Sequence, residues 1–386
     1  MQKCIAILGA TGSVGRQALD VAESRSYRVD FLSANNDSEG LELLARRFSP
    51  RSVCIANHEK YADLRDRLRD TDIKVVAGED GICDEIAISS ADTVVNSILG
   101  KAGLVPTLAV IDSGKRLALA NKESLVIAGD IVMKRAQERG VDILPVDSEH
   151  SAIFQSLKAG KSSEIKSIIL TASGGPFFGK SPEQLKNVTL EQTLAHPTWK
   201  MGKKITVDSA TLMNKGFELI EAVHLFGVSP EQVRVVIHRE SILHSAVEFV
   251  DNTLIGEFSV PDMRMCVQYA VDYPDRCPSQ SERLDIFKVG KLTFAEPDYE
   301  AFPLLTLAKE AVSSGGAMGA VLNASDEIAV SAFLEGRIKY CDISRVVSNT
   351  LEKLADGKKV TSLDSILEYD TMARACAEEY IGRNIL

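Results

Sequence analysis

Residues 8–19, LGATGSVGRQAL, constrain this chain more than any other stretch. They follow the short apolar run CIAIL at 4–8 and lead into the helix-like RQALDVAESR. A strand, a glycine turn and a helix in that order form the first half of a dinucleotide-binding unit. Each glycine has a task there. Gly9 permits the tight turn, Gly12 lets backbone N–H groups approach a diphosphate, and Gly15 allows helix and strand to pack closely. Thr11 and Ser13 add hydroxyl donors beside Val14. A loop made of glycine for steric reasons alone is the bland alternative, but it does not require the strand and helix on either side. The runs VDFL, SVCIA, KVVAG, DTVVNSI and RLALA then recur between helical patterns. That rhythm predicts an α/β fold with a doubly wound parallel sheet of Rossmann type over residues 1–146.

The second strand ends near Leu32 and Ser33, where an acid would select NAD by holding the ribose 2′-hydroxyl. The chain instead reads SANND. Ser33, Asn35 and Asn36 are neutral donors, and the nearest acid, Asp37, lies several residues further on. NADP is favoured over NAD, though not through charge.

With 386 residues, the chain exceeds one ordinary core, so two or three domains are expected. A net charge of −10 and the absence of a Lys/Arg stripe exclude a nucleic-acid footprint. No apolar run reaches the roughly 18 residues that a membrane span needs. The opening MQKCIAILGATG is too short in apolar residues for a secretory leader. Seven cysteines are scattered without CxxC spacing, which suits reduced thiols and a cytoplasmic location rather than a disulfide framework or zinc knuckle.

Beyond residue 146 the texture changes. SIILTASGG at 167–175 reads as a strand and glycine turn, VRVVIH at 233–238 as another strand, and SAVEFVDNTLIGEFS at 245–259 as a hairpin turning at Asp251 and Asn252. A central α/β catalytic and dimerisation domain over 147–272, with a partly antiparallel sheet, is expected. The proline-bearing YPDRCPSQSERL opens a linker over 273–300. Four amphipathic segments then predict a helical bundle over 301–386.

Several residues in the central region carry possible chemistry. In PVDSEHSAIFQ (145–155), Asp147 and Glu149 stand two apart before a helix. They suit an N-cap with a first-turn acid, or else a metal site or acid–base pair that needs a third group. Glu218 and Glu221 share one flank of a later helix. The bland reading of either is a solvated helical acid, and for Glu221 alone it is kept. Ser209, Asn214 and Lys215 could converge on a phosphate, as could Ser173 beside Gly174 and Gly175. LAHPTWKMGKK (194–204) holds Trp199, the sole tryptophan, among few apolar neighbours, which points to a mobile lid with His196 nearby. No histidine pair has zinc-like spacing. Hard oxygen ligands suit Mg2+ or Mn2+.

GATGSVG, LANKESLV (119–126), PVDSEHSAIFQ, TASGGPF, HPTWKMGKKITVDSATLMNKGFELIEA and VPDMRM (260–265) together closely resemble the 1-deoxy-D-xylulose 5-phosphate reductoisomerase family. The resemblance runs through essentially the whole chain. It implies a homodimeric enzyme of non-mevalonate isoprenoid precursor synthesis. Such an enzyme converts 1-deoxy-D-xylulose 5-phosphate to 2-C-methyl-D-erythritol 4-phosphate, using NADPH and a divalent cation (Mn2+, Mg2+ or Co2+). By the same resemblance Asp147, Glu149 and Glu218 ligate the metal, and Lys122, Glu149, Glu218 and His196 form the catalytic group. Ser148 touches the substrate backbone, and Ser173, Ser209, Asn214 and Lys215 cradle the phosphate with His196. Trp199 and Met201 belong to the lid. The cofactor contacts comprise the glycine turn from Gly9 to Gly15, Ser33, Asn35, Asn36, Asn121, Lys122, Glu123, Gly202 and Met263, and Ser241 is a further contact.

The chain departs from the family pattern at Asn35–Asp37, where a glycine with a basic or hydroxyl residue is common, and at the residues flanking Trp199. Two other classes compete. A semialdehyde dehydrogenase would need a nucleophilic cysteine in a catalytic turn, and none of the seven has that setting. A dinucleotide-sensing regulator would have no use for three carboxylates and a phosphate set.

Overall fold

The structure is a computed structural model and describes residues 2–199, 201–355, 360 and 362–384. The chain divides into two compact units. One comprises Met1–Ser124, Val132–Ser151 and Asp262–Glu282; the other comprises Leu125–Ile131, Ala152–Pro261 and Arg283–Leu386.

The first unit holds seven strands: β1 (Cys4–Leu8), β2 (Arg28–Ala34), β3 (Ser52–Ile55), β4 (Lys74–Ala77), β5 (Thr93–Asn96), β6 (Arg116–Leu119) and β7 (Ile143–Pro145). All pair in parallel, in the order β4-β3-β2-β1-β5-β6-β7. β1 is buried along its whole length, as an uninterrupted apolar run in a doubly covered sheet should be. Pro145, which has no N–H to donate, falls on the edge strand. The helix Ser13–Ser24 buries Gly15, Ala18, Leu19 and Ala22, a single stripe at helical spacing. The winding reverses between β1 and β5, so the glycine turn leaves β1 at the switch point where such sheets bind ligands.

Residues Asp262–Glu282 group with this unit. Tyr27 donates to Asp272 Oδ1 at 2.6 Å, Lys3 to the Val271 carbonyl at 2.8 Å, and Arg116 to the Tyr273 carbonyl at 2.7 Å. These polar bonds hold the helix Met263–Asp272 and the chain after it.

The second unit has a four-stranded sheet of β8 (Ile165–Ala172), β9 (Val233–Ile237), β10 (Leu243–Phe249) and β11 (Leu254–Phe258), in the order β11-β10-β8-β9. β8 and β9 run parallel and the other pairs antiparallel, the mixed sheet expected from the sequence. The β10–β11 hairpin turns at Asp251 and Asn252. Thr253 N–H donates to Asp251 Oδ1 at 2.9 Å, and Asn252 takes a φ of +67°, which asparagine tolerates better than most residues. The four C-terminal segments are the helices Leu304–Ser314, Met318–Leu334, Tyr340–Leu354 and Leu363–Asn384. Tyr340, Ile343, Val346, Val347 and Leu351 form the buried stripe of the third. Tyr340 meets Phe177 edge-to-face at 5.2 Å and donates to the Ala210 carbonyl at 2.7 Å, joining the bundle to the helix Lys203–Thr211. Among the described residues no helix is long and apolar enough to cross a membrane.

Candidate active site

In the first unit the glycine turn has the geometry its sequence predicts. Gly9 sits at φ +78°, and a side chain at Gly15 would place its Cβ only 2.2 Å from the Gly9 carbonyl oxygen. Gly12 caps the helix Ser13–Ser24 without any side-chain cap bond. Gly12 and Ser13 are exposed at the mouth and Thr11 is half-buried, so helical N–H groups remain open to an anion. Ser33 serves the turn itself. Its hydroxyl accepts from Gly9 N–H at 3.3 Å and its carbonyl from Ala10 N–H at 2.7 Å. Asn35, Asn36 and Asp37 are exposed at the end of β2.

At the end of β6, Asn121 is buried and clamps its own loop. Its amide donates to the carbonyls of Ile98 and Gly100 at 2.7 and 2.9 Å and to Glu123 Oε2 at 2.9 Å. That clamp presents Lys122, which forms an ion pair with Asp147. Asp147 stands where an N-cap would, with its carbonyl accepting from Ser151 N–H at 2.8 Å, yet its carboxylate is committed to Lys122. Burial opposes ionisation of Asp147, but the Lys122 ammonium and the His150 charge outweigh it and hold the carboxyl well below the usual carboxylate range. Carboxylate oxygens of Asp147 and Glu149 approach within 4.8 Å, and Ser148 Oγ donates to Glu149 Oε2 at 2.6 Å. Met263 is half-buried and opens its own helix in the same unit.

The second unit gathers the phosphate candidates. Gly174 and Gly175 follow Ser173 at φ +78° and +63°, and a Cβ on Gly175 would lie 2.6 Å from the Ser209 carbonyl oxygen. The bare glycine therefore lets the Ser173 turn lie directly on the helix that carries Ser209. Ser173 Oγ is 3.2 Å from His196 Nε2. The backbone N–H groups of Thr198 and Trp199 donate to His196 Nδ1 at 3.1 and 2.9 Å. Nδ1 is thus the acceptor, and the neutral ring carries its proton on Nε2, facing Ser173. Burial, with the nearby Arg239 charge, lowers the His196 pKa and favours that neutral form.

Between the helices Lys203–Thr211 and Met213–Phe226, Leu212 takes a φ of +60°. A left-handed leucine costs about 1–2 kcal/mol and sharply redirects the chain between Ser209 and Asn214. On the second helix Glu218 is 1% exposed, accepts from Asn214 Nδ2 at 2.5 Å and pairs with Lys215.

One expectation fails here. Glu221 is not a solvated helical acid, since it is 1% exposed, as is Glu218. The helix Met213–Phe226 buries Lys215 through Ala222 without interruption, so it has no polar flank facing water there. Gly202, by contrast, is exposed and caps Lys203–Thr211, and Lys200 of the 194–204 segment lies outside the described residues.

Two groups escaped sequence reasoning. Arg239 donates to the carbonyls of Ser173 and Gly175 at 2.8 and 2.7 Å, fixing the phosphate-side turn. Lys204 bridges Asp208 at 2.6 Å and the wholly buried Asp326 at 2.8 Å. The Lys204–Asp208 spacing of four is visible in the sequence, but nothing local announces Asp326.

His244 yields a pH prediction. Burial, reinforced by the His238 and Lys215 charges, pushes its ring from 6.5 down to about 4, against raising bonds to the Ser259 and Val260 backbone. The unfolded chain binds this proton more readily than the native one. Its stabilising effect is therefore complete above about pH 6.5 and is lost as pH falls toward about 4. We expect the urea midpoint to drop over this window by more in the wild type than in His244→Asn. The corresponding difference in unfolding free energy should be on the order of 3 kcal/mol. Midpoints that fall in parallel would refute it.

Comparison with known proteins agrees along the whole chain. Residues 5–129 match the family model for 1-deoxy-D-xylulose 5-phosphate reductoisomerase, residues 143–226 that of its C-terminal domain, and residues 258–376 a further DXP reductoisomerase C-terminal domain. A relative of that name from Acetivibrio thermocellus is 49% identical over 98% of this chain and 99% of its own length. One from Bacteroides thetaiotaomicron is 47% identical over 98% of each. The Zymomonas mobilis reductoisomerase in complex with NADPH superposes with a TM-score of 0.93 at 40% identity, covering 99% of this chain and 100% of its own. A DOX-P reductoisomerase in complex with NADPH, fosmidomycin and magnesium also gives 0.93, at 39% identity and 98% of each chain.

Proposed function

Because the chain belongs to the 1-deoxy-D-xylulose 5-phosphate reductoisomerase family, we infer that it isomerises and reduces 1-deoxy-D-xylulose 5-phosphate to 2-C-methyl-D-erythritol 4-phosphate for isoprenoid precursor synthesis. It does so with NADPH and a divalent cation, Mg2+, Mn2+ or Co2+. Asp147, Glu149 and Glu218 hold that cation. The donors fit it, being three hard carboxylates with no thiol among them, two already held close together in one unit. When bound, the cation supplies Lewis acidity while a carbon–carbon bond migrates, and NADPH supplies the hydride.

The side chains do the rest. Lys122 keeps Asp147 ionised and sits with Glu123 beside the nicotinamide, and Asn121, Gly202 and Met263 are further cofactor contacts. Ser148 orients the substrate backbone. Ser173, His196 through Nε2–H, Ser209, Asn214 and Lys215 grip the phosphate, whose remote binding energy closes residues 194–204 and Trp199 over the site and excludes water. The observation that carries this assignment is the His196–Ser173 contact, with the imidazole proton fixed on the nitrogen facing the candidate anion site.

Residues 1–146 form the nucleotide-binding domain in this reading, 147–272 the catalytic and dimerisation domain, 273–300 the linker and 301–386 the bundle. The enzyme is a homodimer. β11 is an edge strand, paired on one side with β10, with Leu254 and Phe258 exposed, a surface suited to a second copy. Its seven free cysteines suit the reducing cytoplasm.

The test is NADPH consumption on adding 1-deoxy-D-xylulose 5-phosphate with Mg2+, then with a chelator. Turnover should require substrate and metal together. Oxidation that continues undiminished in chelator would exclude the metal role. NADPH binding without any turnover would favour a sensor.

A further inference from the structure

We propose that Arg16 is the residue that selects NADPH, by binding the 2′-phosphate of its adenosine ribose. This rests on the nucleotide-binding reading above. The end of β2 and the loop after it, where such a group is usually found, are neutral or acidic at Ser33, Asn35, Asn36 and Asp37. The structure brings the missing charge from the other side of the turn. Arg16 lies one residue past Gly15, on the first turn of the helix Ser13–Ser24. Its Nε donates to the Thr11 carbonyl at 3.0 Å, and its Nη2 reaches to 4.0 Å from Asp37 Oδ2. The guanidinium therefore spans the glycine turn and the end of β2, the two elements that flank the adenosine ribose in a sheet wound this way.

The neighbouring acid does not compete for the ribose. Asp37 folds back onto its own helix, Ser38–Phe48, where Oδ1 accepts from Gly40 N–H at 2.8 Å. A Cβ at Gly40 would stand 2.2 Å from Asp37 Oδ2, so glycine makes the fold-back possible. A carboxylate spent as an N-cap is poorly placed to accept from a ribose 2′-hydroxyl, which removes the usual determinant for NAD. The Asn36 side-chain oxygen Oδ1 is likewise engaged, accepting from Asn57 Nδ2 at 2.8 Å.

Three arginines of this unit near the same sheet are committed to acids at shorter range. Arg46 holds Asp70 at 2.8 Å, Arg67 holds Asp63 at 3.0 Å, and Arg47 holds Glu23 at 2.5 Å. Arg16 has a 4.0 Å partner and is 57% exposed, so its fork is available to a dianion.

The test is calorimetric binding of two fragments to the full-length enzyme: adenosine 2′,5′-bisphosphate, which carries the 2′-phosphate, and 5′-AMP, which lacks it. NADPH binding to the wild type, followed by nicotinamide fluorescence, is the reference. Arg16→Gln should weaken the bisphosphate by roughly 10- to 100-fold, the range for a lost charge-assisted bond, and leave 5′-AMP within about twofold. Bisphosphate affinity that is unchanged, or that falls in step with 5′-AMP, overturns the assignment of Arg16 alone. A wild type that binds neither NADPH nor the bisphosphate overturns the nucleotide-binding reading and this proposal with it.

Discussion

Glu218→Gln should lower kcat by at least ~10²-fold, the loss typical of removing one electrostatic stabiliser from an active site, while leaving NADPH affinity within about twofold. Glu218 is 1% exposed and lies in the second unit, whereas the glycine turn belongs to the first. Glutamine keeps the shape and one acceptor oxygen for Asn214 but removes the charge assigned to the cation. Losing one of three anionic ligands should reduce metal affinity by at least ~10-fold, a loss that outer-shell changes alone can cause. It also takes the carboxylate away from the buried Lys215, whose ammonium then faces the phosphate more strongly. The expected signature is therefore selective. Metal affinity and turnover collapse, while phosphate affinity holds or rises. Wild-type-like activity at limiting Mn2+ would rule Glu218 out as a ligand.

The features legible in the sequence are those whose signal is local. β1 through β6 each appear as an apolar run because a strand covered on both faces needs no polar alternation, whereas the three-residue β7 is too short to stand out. Gly9, Gly12 and Gly15 are readable because each answers a steric demand inside a short turn. The Asp251–Asn252 hairpin and the four C-terminal helices follow from spacing alone.

Long-range contacts are what the sequence hides. Nothing in VPDMRM or YPDRCP shows that Asp262–Glu282 packs with the first unit, because Tyr27, Lys3 and Arg116 reach it from far along the chain. Glu221 looks solvated because two polar residues three apart suggest a wet helix flank, yet every residue from Lys215 to Ala222 of that helix is buried. Arg239 acts through backbone carbonyls, which leave no mark in residue type. The His196 tautomer is fixed by two backbone N–H groups and could be read only from coordinates. For Asp147 and Glu149, the sequence poses the choice between cap and ligand, and the Lys122 ion pair tips it away from a simple cap.

Lys215→Ala should raise KM by roughly 10²-fold and weaken the fluorescence response of Trp199 to ligand, although the substituted residue need not touch the indole. Lys215 is 5% exposed beside Glu218. Removing one partner of a buried ion pair costs about 3–5 kcal/mol, here divided between fold and ligand binding. Trp199 is the one tryptophan of the chain, so intrinsic indole emission reports this position alone. It is half-buried, and its backbone N–H donates to His196 Nδ1. His196 in turn faces Ser173 through Nε2, so a phosphate that engages Ser173 and Nε2–H acts on the ring that holds Trp199. Binding energy at the phosphate end is thereby coupled to closure of the segment. A substrate analogue with metal should shift the emission of the wild type and shield it from a soluble quencher. In Lys215→Ala both effects should require far more ligand, and at equal occupancy the shift should be smaller, because one anchor of the phosphate is gone. Emission and quenching that are the same with and without saturating ligand in the wild type would make Trp199 a structural residue and remove the lid from the mechanism.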